Sequence, residues 1–371
     1  MSEYQYYEWQ TIDRPLSPDE REAVSRLSSH METVTSTHAI VSYSWGSFKH
    51  KPRQVLLQYF DAHLYQANWG TRVLLFRFPK AVIDPQAVLP YCRDNFLSLD
   101  LEGDYYILEF SPQDDEPDGD WVEAEGDLDR LIPIREQIIQ GDYRALYLGW
   151  LKAITLEYDV DEVSQQIEPP VPAGLGKLHT SQQAFIRFFD LDEYLVAAAA
   201  KASPELQPAS TEPLDKALLK LTRQECVRFL RQVLNGDSQV RVTLQKRLAQ
   251  LAGTQPASLV QGQRQAGELL QEAERILQEA ERQQQVEVER KRVQALLDLA
   301  KREESTWRWV ESLIEQKQAR PYDEATQLLI NLRDLAIYQD RLPGFQTRVQ
   351  AIKAKYGSRP SLMDRFKRAG L

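Results

Sequence analysis

Apolar and polar residues alternate along several short stretches of the first third of the chain, as they do in strands. Three stretches have this alternation or a strand-like composition: residues 4–13, 38–45 and 72–79. Residues 96–101 and 104–110 flank Glu102 and Gly103, which predicts a hairpin that turns near the glycine.

Helical signals lie before and after these strands. Ser17 is a good N-cap for residues 18–30, with Glu20 three residues after it as in a capping box. Residues 128–154 are mostly helical in pattern and predict two helices broken at Gly141.

A third helix is predicted over residues 52–69, where apolar side chains recur at helical spacing and Gly70 follows as a C′ glycine. His63 lies on the apolar side of this predicted helix, which favours a core position over a catalytic one. Strands and helices mix without a regular strand–helix–strand rhythm, so we expect an α+β domain.

Two proline-bearing stretches, residues 168–176 and 204–213, interrupt the pattern and predict joints. The chain then divides into an acidic α+β domain at 1–165, a proline-bearing linker with a short helical segment at 166–213, a small helical segment at 214–255, and a long helix with a C-terminal helical hairpin at 256–371. The predicted fold class is therefore an α+β N-terminal domain followed by an all-α C-terminal region.

The long helix contains the most regular stretch of the chain, two adjacent heptads that read LQEAERI and LQEAERQ. Their apolar seam runs from Leu269 to Ala280 and fails at Gln283, which is short of the three or four heptads of a stable coiled coil. A long exposed helix in a monomer and a self-associating helix both stay open. The following apolar stripe predicts an antiparallel helical hairpin that turns at Arg320 and Pro321.

The charge of the chain is uneven. The total is −10, but residues 1–168 carry 30 acidic and 14 basic residues whereas residues 341–371 carry eight basic residues and one acidic residue. An acidic head repels nucleic acid and anionic membranes. A basic tail suits either of these or an acidic protein surface, including that of the chain's own head. The polar N-terminus, the lack of a long apolar run and the two distant cysteines lead us to expect a cytoplasmic protein.

Candidate chemical motifs are weak. Asp114–Glu125 places oxygen ligands in the order of a calcium loop, but Pro117 stiffens it, and we expect a solvated acidic loop. Residues 174–177, GLGK, lack the spacing and hydroxyl of a phosphate loop. The five histidines have no zinc-ligand spacing, and no catalytic signature is present, so we expect no metal, cofactor or catalytic residue.

Two groups of residues are the predicted partner-binding surfaces. Aromatic side chains anchor interfaces, and among those of the head we expect Tyr6, Trp45 and Trp69 to be exposed. The chain ends on a short amphipathic helix, whose Leu362 and Phe366 we expect to pack on the preceding hairpin. Its outward basic face is predicted to consist of Arg365, Lys367 and Arg368.

The C-terminal sequences WVESLIEQKQARPYDEATQLLINLRDLA and RPSLMDRFKRAGL resemble the tail of bacterial SWIM zinc-finger family proteins. The head, which begins YQYYEWQTIDRPLS and carries YQANWG at residues 65–70, resembles a family of uncharacterised bacterial proteins. The chain lacks the paired C-x-C and C-x-H zinc ligands of the SWIM finger, so the resemblance implies a shared docking module and no zinc site.

These observations favour a non-enzymatic adaptor or scaffold that binds a protein partner, with self-association through the long helix as an open alternative. A nucleic-acid-associated accessory protein that uses the basic tail is the second hypothesis. A hydrolase with an unrecognised site is the third. No membrane partner is expected.

Overall fold

The computed structural model describes residues 3–112, 128–157, 160–205, 216–234 and 260–371, together with residues 240, 243, 244, 247, 248 and 251. The chain divides into two compact units, Met1–Leu277 (unit 1) and Gln278–Leu371 (unit 2). Strands and helices mix in unit 1, and the described elements of unit 2 are all helices. The predicted fold class, α+β followed by all-α with a long helix, is confirmed.

Unit 1 is built on a sheet of seven described strands, all paired antiparallel. The strands are β1 Gln5–Gln10, β2 Met31–Val34, β3 His38–Tyr43, β4 Ala62–Ala67, β5 Arg72–Pro79, β6 Leu97–Glu102 and β7 Tyr105–Phe110. Their order across the sheet is β2-β3-β1-β4-β5-β7-β6, so β2 and β6 are the edges. The β6–β7 hairpin turns at Gly103 as predicted, with Gly103 at φ 60°.

Helices cover both faces of this sheet. The bounds are α1 Pro18–Ser25, α2 Pro52–Tyr59, α3 Pro85–Val88, α4 Leu128–Leu131, α5 Pro133–Ile139, α6 Arg144–Thr155, α7 Val160–Gln165, α8 Thr180–Phe188, α9 Glu193–Ala200 and α10 Arg223–Leu234. On one face, Tyr7 and Trp9 of β1 pack against residues of α1, α2 and the loop before α2. On the other face, Tyr6 and the even-numbered residues of β5 pack against α4, α5, α6, α8 and α9.

The single helix predicted over 52–69 is wrong. The helix ends at Tyr59, and Ala62–Ala67 is β4, a central strand between β1 and β5. The reason is that β4 is covered on both faces, so its apolar residues do not alternate and imitate helical spacing. Gly70 lies in the β4–β5 turn at φ 103°, rather than at a helix C-terminus.

The proline-bearing stretch at 168–176 is part of the core of unit 1. Val171 is buried and pairs with Val260, and buried Glu168 accepts hydrogen bonds from Tyr147 and Arg264 at 2.8 and 2.9 Å. Beyond it, Phe185 and Phe189 of the following segment contact Phe110 of β7. The sheet of residues 1–165 therefore takes part of its cover from residues after it, and the predicted boundary at 165 stays a prediction.

The long helix α11, Ala266–Lys301, begins in the core of unit 1 and ends in that of unit 2. Its middle is exposed, including Val286 and Val288. The remaining helices of unit 2 are α12 Glu303–Glu315, α13 Ala319–Tyr338, α14 Leu342–Tyr356 and α15 Pro360–Arg368. No helix in the described part of the chain has the length and apolar character needed to cross a membrane.

The helical hairpin is formed by α12 and α13, but its turn differs from the prediction. The chain reverses at Gln316–Gln318, where Lys317 has φ 57°, and Arg320 and Pro321 belong to the first turn of α13. Proline is tolerated there because the first amides of a helix have no intrahelical acceptor. The turn was missed because a lysine in the left-handed region leaves no glycine signal in the sequence.

Candidate functional site

The three aromatic residues predicted to be exposed differ in their surroundings. Trp45 is 71% exposed in the loop after β3, and Trp69 is half-buried in the turn after β4. Tyr6 is only 7% exposed and donates a hydrogen bond to Glu8 at 3.1 Å, so its predicted exposure is wrong. It was misassigned because alternation in β1 cannot tell an exposed face from one that helices cover.

Trp45 and Trp69 lie at one end of the sheet. Gln5 of β1 is in register with Tyr43 of β3 on one side and with Ala67 of β4 on the other. Since neighbouring strands are about 4.8 Å apart, these two strand ends are roughly 10 Å apart. Each tryptophan follows its strand end by two residues. We call Tyr4, Trp45 and Trp69 the aromatic end.

Hydrogen bonds fix the backbone at the aromatic end. The side-chain amide of Gln5 donates to the carbonyl of Gly46 at 2.8 Å, which holds the loop that carries Trp45. Tyr4 and Asn68 exchange bonds of 3.0 and 2.9 Å, which hold the turn that carries Trp69. Gly46 has φ 83°, a conformation that favours glycine. Trp45 is therefore presented to solvent on a fixed turn.

A second candidate site is a cavity of about 350 Å³ beside β6. We call it the carboxylate recess; its lining residues are Asp94, Phe96, Ser98, Asp100, Glu109 and Ser111. Ser98 and Glu109 are directly opposite each other in the β6–β7 pairing, which brings the polar side chains of both strands to one face. Phe96 is buried below them.

Arg53, near the start of α2, reaches over the same face. Its guanidinium donates to Asp100 and Glu109 at 2.9 Å each and to Glu102 at 2.5 Å. Burial raises the pKa of Glu109, against the opposing pull of Arg53. One guanidinium thus serves three carboxylates, and the recess keeps an excess of negative charge.

Other ionisable groups with shifted pKa values lie elsewhere in unit 1. Burial lowers the pKa of His63 to about 3, raises that of Cys92 to about 12, and raises that of Glu8. His63 stacks on Trp9 with ring centres 4.6 Å apart and hydrogen-bonds the carbonyl of Glu8 at 3.0 Å. The three described cavities are lined by other residues, so these groups are core residues.

The basic face of the terminal helix is only partly as predicted. Leu362 and Phe366 of α15 are buried, which confirms their packing. Arg365, however, has a side chain only 25% exposed and forms an ion pair with Asp323 of α13 at 2.5 Å. Lys367 and Arg368 are exposed. The predicted outward face therefore loses Arg365 to a contact within unit 2.

Of the weak motifs, the GLGK stretch at residues 174–177 lies within the described structure. The carbonyls of Gly174 and Lys177 accept hydrogen bonds from Arg144, a buried residue that also pairs with Asp142. The GLGK stretch is thus a structural turn. The calcium-like stretch Asp114–Glu125 lies outside the described residues. Within the described residues, no group of three or more His, Cys, Asp or Glu side chains is arranged to hold a metal ion.

Unit 2 has a groove that the sequence did not indicate. It has a volume of about 670 Å³ and lies between the end of α11 and the α12–α13 hairpin, with Leu296, Leu299 and Leu328 among its lining residues. Trp309 at its rim is 51% exposed and donates to Glu324 at 3.3 Å. Arg292, Arg302 and Asp334 also line the groove, so its charge is mixed.

Sequence reasoning missed the carboxylate recess, although a signal was present. The predicted hairpin around Gly103 already placed Ser98 and Glu109 on facing strands. The alternation of Ser98, Asp100 and Glu102 in β6 then puts all three on one face. Arg53 could not be added from the sequence, because it is 47 residues from Asp100.

Comparison with known proteins gives one partial likeness. A stretch of 141 residues, 37% of this chain, is 29% identical to a protein named short chain dehydrogenase/reductase nsrO from Aspergillus novofumigatus (strain IBT 16806). This chain covers about half, 47%, of the length of that relative. No family model matches the chain, and no solved structure matches it. The likeness is too partial to place the chain in a family.

Proposed function

We propose that this protein is a protein-interaction adaptor that docks a partner on the aromatic end of unit 1. The observation that carries the proposal is Trp45, a large aromatic side chain that is 71% exposed on a fixed turn. Tryptophan is among the residues that most often anchor protein interfaces. Burial of its exposed surface, about 140 Å² of a side chain near 200 Å², is worth roughly 3 kcal/mol before association costs.

The fixed backbone supports the same role. A side chain held on a hydrogen-bonded turn loses less conformational freedom on binding than one on a mobile loop, and more of its burial energy remains for affinity. Tyr4 and Trp69 beside it supply further aromatic surface. The predicted anchors Trp45 and Trp69 keep their place in this proposal, and Tyr6 is replaced by Tyr4.

Affinity capture from the native host, quantified by mass spectrometry, tests the proposal with three baits. We expect the wild-type chain and Trp309→Ala to retain one partner equally, and Trp45→Ala to retain at least tenfold less. Trp309→Ala is the matched control, because it removes an exposed tryptophan from unit 2. Equal retention by all three baits would contradict docking at the aromatic end.

A hydrolase is the second candidate, and the carboxylate recess favours it. Asp94, Asp100 and Glu109 line one cavity, and burial raises the pKa of Glu109 while Asp100 is held by Arg53. Carboxyl groups in different environments can act as acid and base. A panel of chromogenic esters, phosphates and glycosides tests this candidate. Hydrolysis of any of them by the wild-type chain, and its loss in Glu109→Gln, would support a hydrolase over the adaptor.

Two other functions have less support. A dinucleotide-binding dehydrogenase domain uses mostly parallel strands with a G-x-G-x-x-G turn, whereas the strands of the described sheet are antiparallel and the chain has no such motif. Nucleic-acid binding by the basic tail is weakened by the pairing of Arg365 with Asp323. Retention on heparin and on duplex DNA, compared at low and high salt, tests the latter.

A further inference from the structure

The edge strand β6 has backbone groups along its outer side that pair with no strand in the described part of the chain. Leu97 exchanges backbone hydrogen bonds with Arg93 at 2.8 and 2.7 Å, on the side away from β7. In an antiparallel strand, alternate residues direct their backbone polar groups to the same side. Leu99 and Leu101 therefore direct theirs outward as well, and no described strand pairs with them there.

The two faces of β6 differ in chemistry. On one face lie Ser98, Asp100 and Glu102, next to the carboxylate recess. On the other face lie Leu99 and Leu101, and Leu101 is 54% exposed. An exposed leucine and unpaired backbone groups on one edge are features that proteins ordinarily cover or blunt.

Charge decides what can cover this edge. Asp94, Asp100, Glu102 and Glu109 lie near it, and Arg53 is the cation that binds three of them. Arg93, which pairs with Leu97, adds a second guanidinium at this edge, so four carboxylates against two guanidinium groups leave an excess of two negative charges. Pairing of β6 with the β6 of a second copy would bring like charges together, which is unfavourable. A basic strand is the complementary occupant.

We infer that β6 is a docking edge for an extended basic segment of a partner protein, which adds to the sheet as a further strand. Alternate Lys or Arg side chains of that segment lie over the carboxylate recess. Its intervening apolar side chains cover Leu99 and Leu101. Main-chain hydrogen bonds supply affinity and the alternating side chains supply specificity, as in other cases of strand addition. This surface is distinct from the aromatic end and goes beyond the proposed function.

A fluorescein-labelled, N-acetylated octapeptide of alternating Lys and Val is the probe, with binding to the full-length chain measured by fluorescence anisotropy. We expect saturable binding that weakens with salt, and none for the matching Glu-Val peptide. Hydrogen exchange of residues 97–102 should slow when the Lys-Val peptide is bound. Absence of saturable binding, or binding that leaves exchange in 97–102 unchanged, would overturn the inference.

Variants locate the contact. Leu101→Pro removes an outward amide without removing a bond to β7, and we expect at least tenfold weaker binding. Asp100→Asn should weaken binding about fivefold. Glu32→Gln, a matched loss of charge on the opposite edge strand, should leave binding unchanged. Equal binding by Leu101→Pro and wild type, with melting temperatures also equal, would count against strand addition.

Peptides with methylated backbone amides test the same inference on the wild-type chain, so the result does not depend on whether a variant folds. One peptide carries N-methyl groups on all its lysine amides and the other on all its valine amides. Only one of these two sets can face β6, because alternate amides of a strand point to opposite sides. We expect one peptide to lose binding and the other to keep it. Equal binding by both would show that charge alone attracts the probe and would overturn the inference.

Discussion

The two units place their charged groups in opposite ways. In unit 1 the charged residues Asp61, Arg135, Arg144 and Glu168 are buried, with exposures of 1 to 3%. In unit 2 the buried polar residues among those described are Thr306 and Thr326, and the ion pairs lie on the outside. Unit 1 thus combines an apolar core with buried long-range polar contacts, whereas the core of unit 2 is almost entirely apolar.

The network around Asp61 shows what buried charge does in unit 1. One carboxylate oxygen accepts from the amides of Ile12 and Asp13 at 2.6 and 2.9 Å, and the other accepts from Arg77 at 2.7 Å. Arg135 of α5 binds Asp13 through two bonds of 2.9 Å. These contacts tie the end of β1 to β4, β5 and α5, which fixes their relative positions.

The ion pairs of unit 2 have a smaller role. Arg348 pairs with Glu304 at 2.5 Å and Lys355 with Glu311 at 2.8 Å, all at the surface. Exposed pairs contribute little, because water and salt screen them. Pairs of arginine and carboxylate side chains therefore stabilise the fold of unit 1, where they are buried. In unit 2 similar pairs are exposed and contribute little to stability. Four experiments, which use substitutions or a change of pH, test this difference between the units.

The largest effect is expected for Asp61→Ala in unit 1. The change removes the carboxylate partner of Arg77 and the acceptor of two backbone amides, which should lower the free energy of unfolding by about 3–5 kcal/mol. Denaturant unfolding followed by tryptophan fluorescence measures it. Glu22→Ala, which removes an exposed carboxylate from α1, is the control and should stay within about 0.5 kcal/mol. Equal effects of the two substitutions would contradict a structural role for the network.

Phe366→Ala should have a comparable but somewhat smaller effect, in unit 2. The ring is 1% exposed in a core without buried charges, so its loss should cost about 3 kcal/mol. Thermal unfolding by circular dichroism measures the change. Tyr338→Ala removes a half-exposed ring from α13 and should have a much smaller effect. A silent Phe366→Ala would show that α15 does not pack on the rest of unit 2.

Acid should destabilise unit 1 by an intermediate amount. Burial lowers the pKa of His63 to about 3, whereas the unfolded side chain titrates near 6.5. The unfolded state therefore binds the proton first, and the stability present above pH 6.5 is lost progressively as pH falls toward 3. Between pH 7 and pH 5 the loss is about 2 kcal/mol.

Denaturant unfolding at both pH values, with His63→Phe as the comparison, isolates this contribution. The phenylalanine keeps an aromatic ring beside Trp9, so most of the acid sensitivity in this range should disappear. Burial raises the pKa of Glu8, so its contribution to stability grows as pH falls, opposite to that of His63. Both proteins contain Glu8, and its contribution cancels in the comparison. All five histidines lie before residue 278, so unit 2 should show no histidine-dependent loss. An unchanged acid response in His63→Phe would refute the assignment.

The smallest effect is expected for the joint change Lys367→Glu and Arg368→Glu in α15. Both side chains are exposed, and the melting temperature of unit 2 should move by no more than about 2 °C. Arg365→Glu should lower it further, because it places a carboxylate against Asp323. Equal shifts for the two variants would show that the Arg365–Asp323 pair has no structural weight.

The difference between the two units also explains which parts of the fold could be predicted from the sequence. The helices of unit 2 and the burial of Leu362 and Phe366 follow from apolar spacing, which acts over three or four residues. In unit 1, β4 was missed because both of its faces are covered. Arg135 and Asp13 are 122 residues apart, and no local pattern relates them.

For the candidate sites, the sequence indicated side-chain types but not their surroundings. Trp45 and Trp69 were predicted as anchors, yet only the sheet register brings them to the same end. Tyr6 was predicted as an anchor with them, yet it faces the core. The resemblance of the tail to SWIM zinc-finger family proteins stays a prediction, as does self-association through the long helix.

The contact between Glu168 and Arg264 also determines when unit 1 can be completed during synthesis. Its partners are 96 residues apart, so at about 5–20 residues per second the ribosome needs roughly 5–20 s to make the chain between them. In that interval Glu168 lacks its cation, and Ala266 and Leu269 are missing from the core. The nascent chain therefore passes through a stage in which all seven described strands have been synthesised but part of the core that packs against them has not.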